Sequence, residues 1–291
     1  MQMMYKVVHK TKMFGELVMF SHTLFSLPFA IISMIWAADG VPSWHVMLWS
    51  LIALVAARNG ANAFNRIADL KFDAANPRTA TRHMPRKLLL PREVYVFVAV
   101  NFAIFILAAG MLNPLCLGLS PAAIVLICTY SYTKRFTWLC HLYLGFTIAS
   151  APIGAWFAVT GQFAFIPFII GTVVMLWIAG FDIIYATQDI EFDRSTGLWS
   201  IPRAFGLEGG LLISGMLHGI MIILLVSLYF IQGLGWLYLA GIAVSVILLA
   251  VEHRIIKPSS RRRMHLASYN LNQVISLTIL LFTLADQFVL G

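Results

Sequence analysis

Long apolar stretches separated by short polar segments dominate the chain. A helix needs about 20 apolar residues to cross a bilayer, and nine stretches come close to or exceed that length. They predict transmembrane helices at about 16–38, 43–65, 92–111, 114–132, 138–160, 163–184, 210–231, 234–252 and 267–290. Because these runs leave no room for a separate soluble domain, we predict an all-α membrane protein with a single integral-membrane domain over residues 1–291.

Composition supports lipid as the solvent of this chain. Hydrophobic residues make up 60% of the sequence and charged residues only 11%, whereas a soluble domain carries roughly 25% charged residues. The net charge of +8 could indicate a nucleic-acid partner. Its distribution indicates the membrane instead.

Of the 20 lysines and arginines, 18 fall before the first predicted helix or in every second connection along the chain; Arg58 lies near the end of the second predicted helix and Arg92 opens the third. Cytoplasmic loops of membrane proteins are enriched in these residues. We therefore predict a multi-pass protein of the cell inner (cytoplasmic) membrane, with a cytoplasmic amino terminus and a periplasmic carboxyl terminus. The basic run at 261–263 suits contact with anionic membrane lipid, and we expect no nucleic-acid partner.

The two long predicted cytoplasmic loops, at about 66–91 and 185–209, carry the same short motif. The first reads Asp69-Leu-Lys-Phe-Asp73 and the second reads Asp189-Ile-Glu-Phe-Asp193. In both, an aspartate is followed by an aliphatic, a charged residue, a phenylalanine and a second aspartate. This repetition indicates an internal duplication.

The spacing within each motif brings two carboxylates to one face of a helix, because residues i and i+4 are neighbours there. Asn65 and Tyr185, four residues before the first aspartate of each motif, extend these faces. Magnesium is usually bound by one or two carboxylates, with phosphate oxygens completing its shell. Two such pairs facing each other could hold two ions with a diphosphate between them.

A further carboxylate, Asp182, directly follows an apolar run at 173–181. We place it at the membrane boundary, where an ionisable residue is a functional candidate by default. Six of the 12 acidic residues lie in the two motif regions. The alternative, that these are ordinary solvated aspartates, explains this concentration less well.

Three segments resemble the signature loops of the UbiA-type aromatic prenyltransferases, and most of all the bacterial 4-hydroxybenzoate polyprenyltransferases of that family. They are residues 65–73 continuing into Asn76-Pro-Arg-Thr, residues 185–189 continuing to 197–202, and residues 130–137. The resemblance implies nine transmembrane helices in a ring around a central cavity, with a cytoplasmic cap from the Asp-rich loops at about 65–91 and 182–209. In one departure, Cys140-His141 stands where we expect a glutamine.

The resemblance also implies a reaction: Mg²⁺-dependent transfer of a polyprenyl group from polyprenyl diphosphate to a ring carbon of an aromatic acid, in ubiquinone or menaquinone biosynthesis. Asp69, Asp73, Asp182, Asp189 and Asp193 are the implied catalytic residues. The expected metal ligands are Asn65, Asp69, Asp73, Asp189 and Asp193. The expected diphosphate contacts are Asn65, Arg66, Lys71, Lys134 and Arg135. The expected contacts to the acceptor are Tyr132, Tyr185, Arg135 and Asp182.

Several alternatives stay open. The acceptor could be 4-hydroxybenzoate or a naphthoate-like menaquinone precursor. Lys134 or Arg135 could bind the acceptor's carboxylate instead of diphosphate, and Asp182 could orient a phenol, accept a proton or support Lys134. From another class, a membrane transporter could also be built from two equivalent halves. Transporters place their ion sites near the bilayer midplane, however, whereas the acidic motifs here lie at one membrane face.

Overall fold

The structure is a computed structural model that describes residue 10 and residues 13–18, 23–256 and 259–290. These residues form helices joined by turns and short connections. The helices, numbered from residue 23, are α1 (Thr23–Ala38), α2 (Trp44–Ala68), α3 (Leu70–Ala75), α4 (Pro91–Leu112), α5 (Pro114–Tyr130), α6 (Cys140–Thr160), α7 (Ile166–Ala186), α8 (Ile190–Thr196), α9 (Ile201–Gln232), α10 (Trp236–Ile255), α11 (Arg261–His265) and α12 (Asn272–Ala285). Short 3₁₀ turns occupy Thr133–Arg135 and Thr187–Asp189, and π-helical turns occupy Leu266–Leu271 and Asp286–Leu290.

Eight helical segments in the described ranges are long and apolar enough to cross a membrane. They correspond to α2, α4, α5, α6, α7 with α8, α9, α10 and the segment Arg262–Val289. The all-helical membrane fold is thus confirmed. The ninth predicted span, at 16–38, overlaps the apolar helix α1. This helix has 16 residues, fewer than the about 20 that a span needs. Residues 19–22 lie outside the described ranges, so the ninth span stays a prediction.

Local chemistry explains why the observed helices match the apolar runs so closely. Helix α4 begins at Pro91, and proline is tolerated in the first helical turn because the amide there needs no helical partner. Asn113 ends α4 and caps α5: its side-chain oxygen accepts a 2.9 Å hydrogen bond from the amide of Cys116. Asn113 alone joins the two helices, where the hydropathy pattern predicts a connection at 112–113.

The long predicted loops contain more helix than the sequence pattern indicates. Helix α2 continues to Ala68 and is followed by α3, while α7 continues to Ala186 and leads through a 3₁₀ turn into α8. Helix α9 starts at Ile201 instead of about 210, with a break at Gly206, whose φ of 75° suits glycine. The short helices α3 and α8 span only one or two turns, which is too few to show a hydrophobic period in the sequence.

The described residues divide into two compact units. Unit 1 lies within Met1–Thr23 and Met47–Tyr132, and unit 2 within Leu24–Val46 and Thr133–Gly291. In unit 1, apolar side chains from the segment at 13–18, from α2 and from α4 form one buried cluster, in which Phe14 stacks on Phe97 at 4.6 Å between ring centroids. This cluster packs α4 against the carboxyl-terminal part of α2.

Helix α7 is the most buried long helix of unit 2, and it packs against α6 and α9. Small residues permit the close approach that membrane helices need. A Cβ at Gly145 would lie 2.1 Å from the carbonyl oxygen of Met175, and one at Gly180 would lie 2.2 Å from Nε2 of His218. The carboxyl end of α7, which carries Asp182, is therefore held firmly between its neighbours.

Candidate active site

The first acidic motif lies in unit 1, and we name Asn65, Arg66, Asp69, Asp73 and Arg82 the first aspartate cluster. The amide of Asp69 donates to the carbonyl of Asn65 at 2.9 Å, and the amide of Asp73 donates to the carbonyl of Asp69 at 2.8 Å. Helical hydrogen bonding therefore continues from α2 into α3 across the motif. The side-chain amide of Asn65 also donates to Oδ2 of Asp69 at 2.9 Å, which places these two predicted ligands side by side.

Asp73 is buried and strongly bound by cations. Nη1 of Arg82 donates to both of its carboxylate oxygens at 2.7 Å, and Nη1 of Arg66 lies 3.7 Å from Oδ2. The hydroxyl of Thr79 donates to the main-chain carbonyl of Asp73 at 3.0 Å. Asp73, the second aspartate of the motif, thus stabilises the connection between α3 and α4 through these hydrogen bonds.

The second acidic motif lies in unit 2, and we name Lys134, Asp189, Asp193 and Ser200 the second aspartate cluster. Asp193 is 1% exposed and accepts a 2.7 Å hydrogen bond from the hydroxyl of Ser200. The ammonium of Lys134 lies 3.6 Å from the same carboxylate, and the main-chain carbonyl of Lys134 accepts from the amide of Trp199 at 2.6 Å. Here too the second aspartate is buried and fastens the residues that follow it.

The first aspartates of the two motifs share an unusual backbone conformation. Asp69 has φ −94° and ψ 7°, and Asp189 has φ −109° and ψ 10°. Both pairs of angles lie in or beside the sparsely populated bridge region, where many active-site residues are found. Each residue stands where one helix ends and a short helix begins. The likeness of the two motifs therefore extends from sequence to local geometry.

Asp182, near the end of α7, pairs with a residue that the sequence analysis did not assign to the site. Its Oδ2 lies 2.7 Å from Nδ1 of His141, the second residue of α6. The ammonium of Lys134 pairs with Asp193, and the charge of Asp182 acts on it as well, so the suggestion that Asp182 supports Lys134 stays a prediction. A histidine on α6 and a carboxylate on α7 are brought together because these two helices pack along each other.

The other predicted site residues differ in exposure. Lys71 and Arg135 are exposed. Tyr132 is 39% exposed and lies edge-on to Phe64, with 6.2 Å between ring centroids. Tyr185 is half-buried and lies edge-on to Tyr269 at 5.3 Å. No observation assigns these four residues a ligand, so their roles stay predictions.

Two arginines, Arg82 and Arg58, are candidate site residues that the sequence analysis did not identify. Arg82 was counted with the positive charges of the cytoplasmic side, yet it binds Asp73. Arg58 lies inside α2, seven residues before Asn65 and so on the same helix face. Its Nε is buried and has no hydrogen-bond partner in the described part of the chain. A guanidinium within a membrane span was the signal that could have identified it.

The potential metal ligands of the two motifs are carboxylate and amide oxygens. Among the described residues, no group of three or more His, Cys, Asp or Glu side chains is arranged as a metal site. Magnesium does not require one, because it keeps several waters and binds through one or two carboxylates plus substrate phosphates. Asn65 with Asp69, and Asp189 with Asp193, are oxygen donors of this kind. The residues present fit a metal whose shell is completed by a diphosphate.

Comparison with known proteins agrees with this arrangement. The profile of the UbiA prenyltransferase family matches residues 26–274. A 4-hydroxybenzoate octaprenyltransferase from Vibrio vulnificus (strain CMCP6) is 30% identical over 92% of this chain and 95% of its own length. The protein of the same name from Vibrio campbellii (strain ATCC BAA-1116) is 31% identical over 82% of this chain and 84% of its own.

Solved structures show the same fold. The apo structure of a UbiA homolog from Aeropyrum pernix K1 is 32% identical, covers 91% of this chain and 98% of its own, and superposes with a TM-score of 0.83. A UbiA homolog from Archaeoglobus fulgidus, solved with GPP and Mg²⁺ bound, gives 0.70 at 18% identity, covering 94% of this chain and 99% of its own, and shares the fold. The chain therefore belongs to the UbiA prenyltransferase family, as the sequence resemblance predicted, and is a multi-pass membrane prenyltransferase.

Proposed function

We propose that this enzyme transfers a polyprenyl group from polyprenyl diphosphate to a ring carbon of an aromatic acid, with 4-hydroxybenzoate as the acceptor. The names of the Vibrio relatives support the acceptor and the prenyl class. The observation that carries the proposal is the matched pair of acidic motifs, alike in sequence, in backbone conformation at Asp69 and Asp189, and in the buried second aspartate.

In this reaction the bond between the allylic carbon and the diphosphate oxygen breaks, and the diphosphate leaves with the electron pair. The ring carbon ortho to the phenolic hydroxyl then bonds to the allylic carbon. The proton on that ring carbon is lost, which restores aromaticity. The protein must stabilise the leaving group, shield the cation from water and accept the proton.

Mg²⁺, when bound, neutralises charge that develops on the leaving diphosphate. Asn65, Asp69, Asp73, Asp189 and Asp193 would hold it. Asp73 and Asp193 also stabilise the local structure, because Arg82 donates to Asp73 and Ser200 donates to Asp193. Because Asp69 and Asp189 have the bridge-region backbone conformation that is common at active sites, we assign most of the metal binding to these two residues and Asn65, and a smaller share to Asp73 and Asp193.

Cations on both motifs supply the remaining contacts to diphosphate. Lys134 lies against Asp193, so its ammonium belongs with the second motif and we assign it to the leaving group. Arg66, close to Asp73 in the first cluster, and the exposed Lys71 are assigned the same role. Preorganised cations of this kind stabilise charge as it develops in the transition state.

Arg135 is the proposed partner of the acceptor's carboxylate, because Lys134 is committed to Asp193 and a guanidinium can bind a carboxylate through two hydrogen bonds. Arg58 is the rival, since its buried Nε lacks a partner in the described part of the chain. Tyr132, Tyr185 and Asp182 are assigned to the ring and hydroxyl of the acceptor. Asp182 would take the ring proton.

Aromatic side chains of unit 2 gather beside Tyr185. The ring centroid of Phe25 lies 5.3 Å from that of Phe181 and 6.2 Å from that of Trp177, and Tyr269 contacts both Phe25 and Tyr185. Ring faces attract cations, and apolar surroundings exclude water. We propose that this aromatic cluster shields the allylic cation until the acceptor attacks.

The placement of basic residues supports an orientation in the inner membrane with both acidic motifs on the cytoplasmic side. We propose nine spans in this topology, the ninth comprising α1 and the residues before it. The product would serve quinone biosynthesis, of ubiquinone if 4-hydroxybenzoate is the acceptor. A naphthoate-like acceptor, and so menaquinone, is the alternative.

Mass spectrometry of reaction products tests the proposal. The purified protein in nanodiscs would be offered a long-chain prenyl diphosphate, Mg²⁺ and either 4-hydroxybenzoate or 1,4-dihydroxy-2-naphthoate. We expect a product with the mass of prenylated 4-hydroxybenzoate. A product from the naphthoate alone would assign the other acceptor, and no product from any aromatic acid would refute the proposal.

A further inference from the structure

The buried pair of His141 and Asp182 carries an inference beyond the reaction itself. The two side chains meet between α6 and α7, with Nδ1 of His141 2.7 Å from Oδ2 of Asp182. His141 is 0% exposed, whereas the side chain of Asp182 retains 24% of its surface. The histidine thus lies behind the carboxylate, and only the carboxylate is accessible to a ligand.

The second ring nitrogen of His141 shows how the pair is arranged. Nε2 is buried and has no hydrogen-bond partner among the described residues. Nδ1 is thus the nitrogen with a described partner, and because an ionised carboxylate only accepts hydrogen bonds, the 2.7 Å contact requires a hydrogen on Nδ1. The favoured state therefore carries its hydrogen on Nδ1 and donates it to Oδ2 of Asp182. The partner of one nitrogen sets the tautomer of the ring, as in other histidine–carboxylate pairs.

The same hydrogen bond acts on Asp182. A carboxylate without a fixed partner can rotate about its side-chain bonds, and a donor fixed to one oxygen opposes that rotation. The imidazole is itself held in place, since α6 and α7 approach closely at Gly145. One oxygen of Asp182 is occupied, and the exposed part of its carboxylate remains for a ligand.

We propose that His141 is a positioning residue that holds Asp182 as an oriented carboxylate for a hydroxylated aromatic acceptor. This inference rests on the proposed function. Asp182 accepts the proton from the ring carbon that has bonded to the prenyl group, and the electron pair of that C–H bond returns to the ring. His141 does not touch the acceptor: its contribution passes through the hydrogen bond to Oδ2.

Two variants at position 141 separate positioning from packing. His141→Ala removes the donor, whereas His141→Asn keeps one, because the asparagine nitrogen is attached to Cγ as Nδ1 is in histidine. We expect His141→Ala to lower kcat for prenylation about tenfold or more, the effect of losing a hydrogen bond to a charged group. His141→Asn should recover most of that loss. The KM for the prenyl diphosphate should not change, and His45→Ala, an exposed histidine, is the control.

A double-mutant cycle completes the test, because residues that act as a unit are not additive. His141→Ala should add little to the effect of Asp182→Asn. Independent, additive losses, or a tenfold loss in a folded His141→Asn protein, would overturn the proposal. If His141→Ala does not fold, His141→Asn alone decides by its kcat. A wild-type protein that prenylates no aromatic acid would refute the proposed function instead, so the two failures are distinguishable.

Discussion

Nη1 of Arg82 lies 2.7 Å from both carboxylate oxygens of Asp73, nine residues earlier in the chain. This contact closes the connection that follows the first acidic motif. Asp193 is bound in a similar way by Ser200, seven residues later. In both motifs the second aspartate holds the local structure, while the first stands at a helix junction in a bridge-region conformation. The two aspartates of each motif therefore have different tasks.

Removing Arg82 should loosen the first motif. Arg82→Ala removes the 2.7 Å contact and leaves Asp73 with the more distant Arg66 at 3.7 Å, and hydrogen bonds to charged groups contribute about 1.5–3 kcal/mol. We expect a lower thermal midpoint in detergent and a reduced kcat. Arg86→Ala, which changes an exposed arginine four residues later, is the matched control. Equal midpoints for the two variants would show that the contact does not hold the motif.

The partner of the acceptor's carboxylate should be detected through KM. If Arg135 binds this carboxylate, Arg135→Ala should raise the KM for the aromatic acceptor about ten- to a hundredfold, which corresponds to the loss of about 1.5–3 kcal/mol. The KM for the prenyl diphosphate should be unchanged. Arg254→Ala, at another exposed arginine, controls for the loss of positive charge.

The same kinetics on Arg58→Ala decide between the two arginines. If Arg58→Ala raises the KM for the acceptor and Arg135→Ala does not, then Arg58 on α2 binds the acceptor's carboxylate. A change confined to the prenyl diphosphate in Arg135→Ala would assign Arg135 to the leaving group.

The polar contacts among α7, α10 and α12 should contribute to stability. Asn272 accepts from the indole of Trp177 at 2.6 Å and donates to Glu252 at 2.9 Å, and all three side chains are buried. Asn272→Leu would leave two buried polar groups without a partner, at about 1–3 kcal/mol each. We expect a clear drop in the thermal midpoint, compared with little change for the exposed Val274→Ala. Similar midpoints for both variants would contradict this role.

Topology can be tested with single cysteines introduced after Cys116, Cys128 and Cys140 are replaced. A cysteine at Ser259 should react with an impermeant reagent only from the cytoplasm, and one at Gly233 only from the periplasm. Gly291 lies outside the described residues, but the nine-span prediction places it in the periplasm as well. Labelling of position 291 from the cytoplasm would show that one predicted span is wrong.

Much of this architecture could be predicted from the sequence, because a membrane-spanning helix needs a long apolar run that is easily recognised. An apolar run such as 92–111 has few other structures available to it, and the observed helix Pro91–Leu112 differs by one residue at each end. The spacing of Asp69 and Asp73 identified the acidic motifs, since repeated carboxylates are rare in so apolar a chain. Family resemblance supplied the reaction.

The contacts that arrange the site could not be predicted. His141 and Asp182 are 41 residues apart, and only the packing of α6 on α7 brings them together. The sequence does not indicate that Arg82 binds Asp73, because topology alone already explains an arginine in a cytoplasmic loop. The short helices Leu70–Ala75 and Ile190–Thr196 are too brief to show a hydrophobic period, so the sequence pattern predicts loops there.

The central claim is that the first aspartate of each motif binds the metal that assists departure of diphosphate. Release of diphosphate during prenylation, measured across a Mg²⁺ titration, tests it most directly. Wild type should depend on Mg²⁺, and Asp69→Asn and Asp189→Asn should each lose nearly all activity while retaining the wild-type thermal midpoint. Asp39→Asn, at an exposed turn outside both motifs, should behave as wild type. Wild-type activity at limiting Mg²⁺ in either Asp69→Asn or Asp189→Asn would contradict the account.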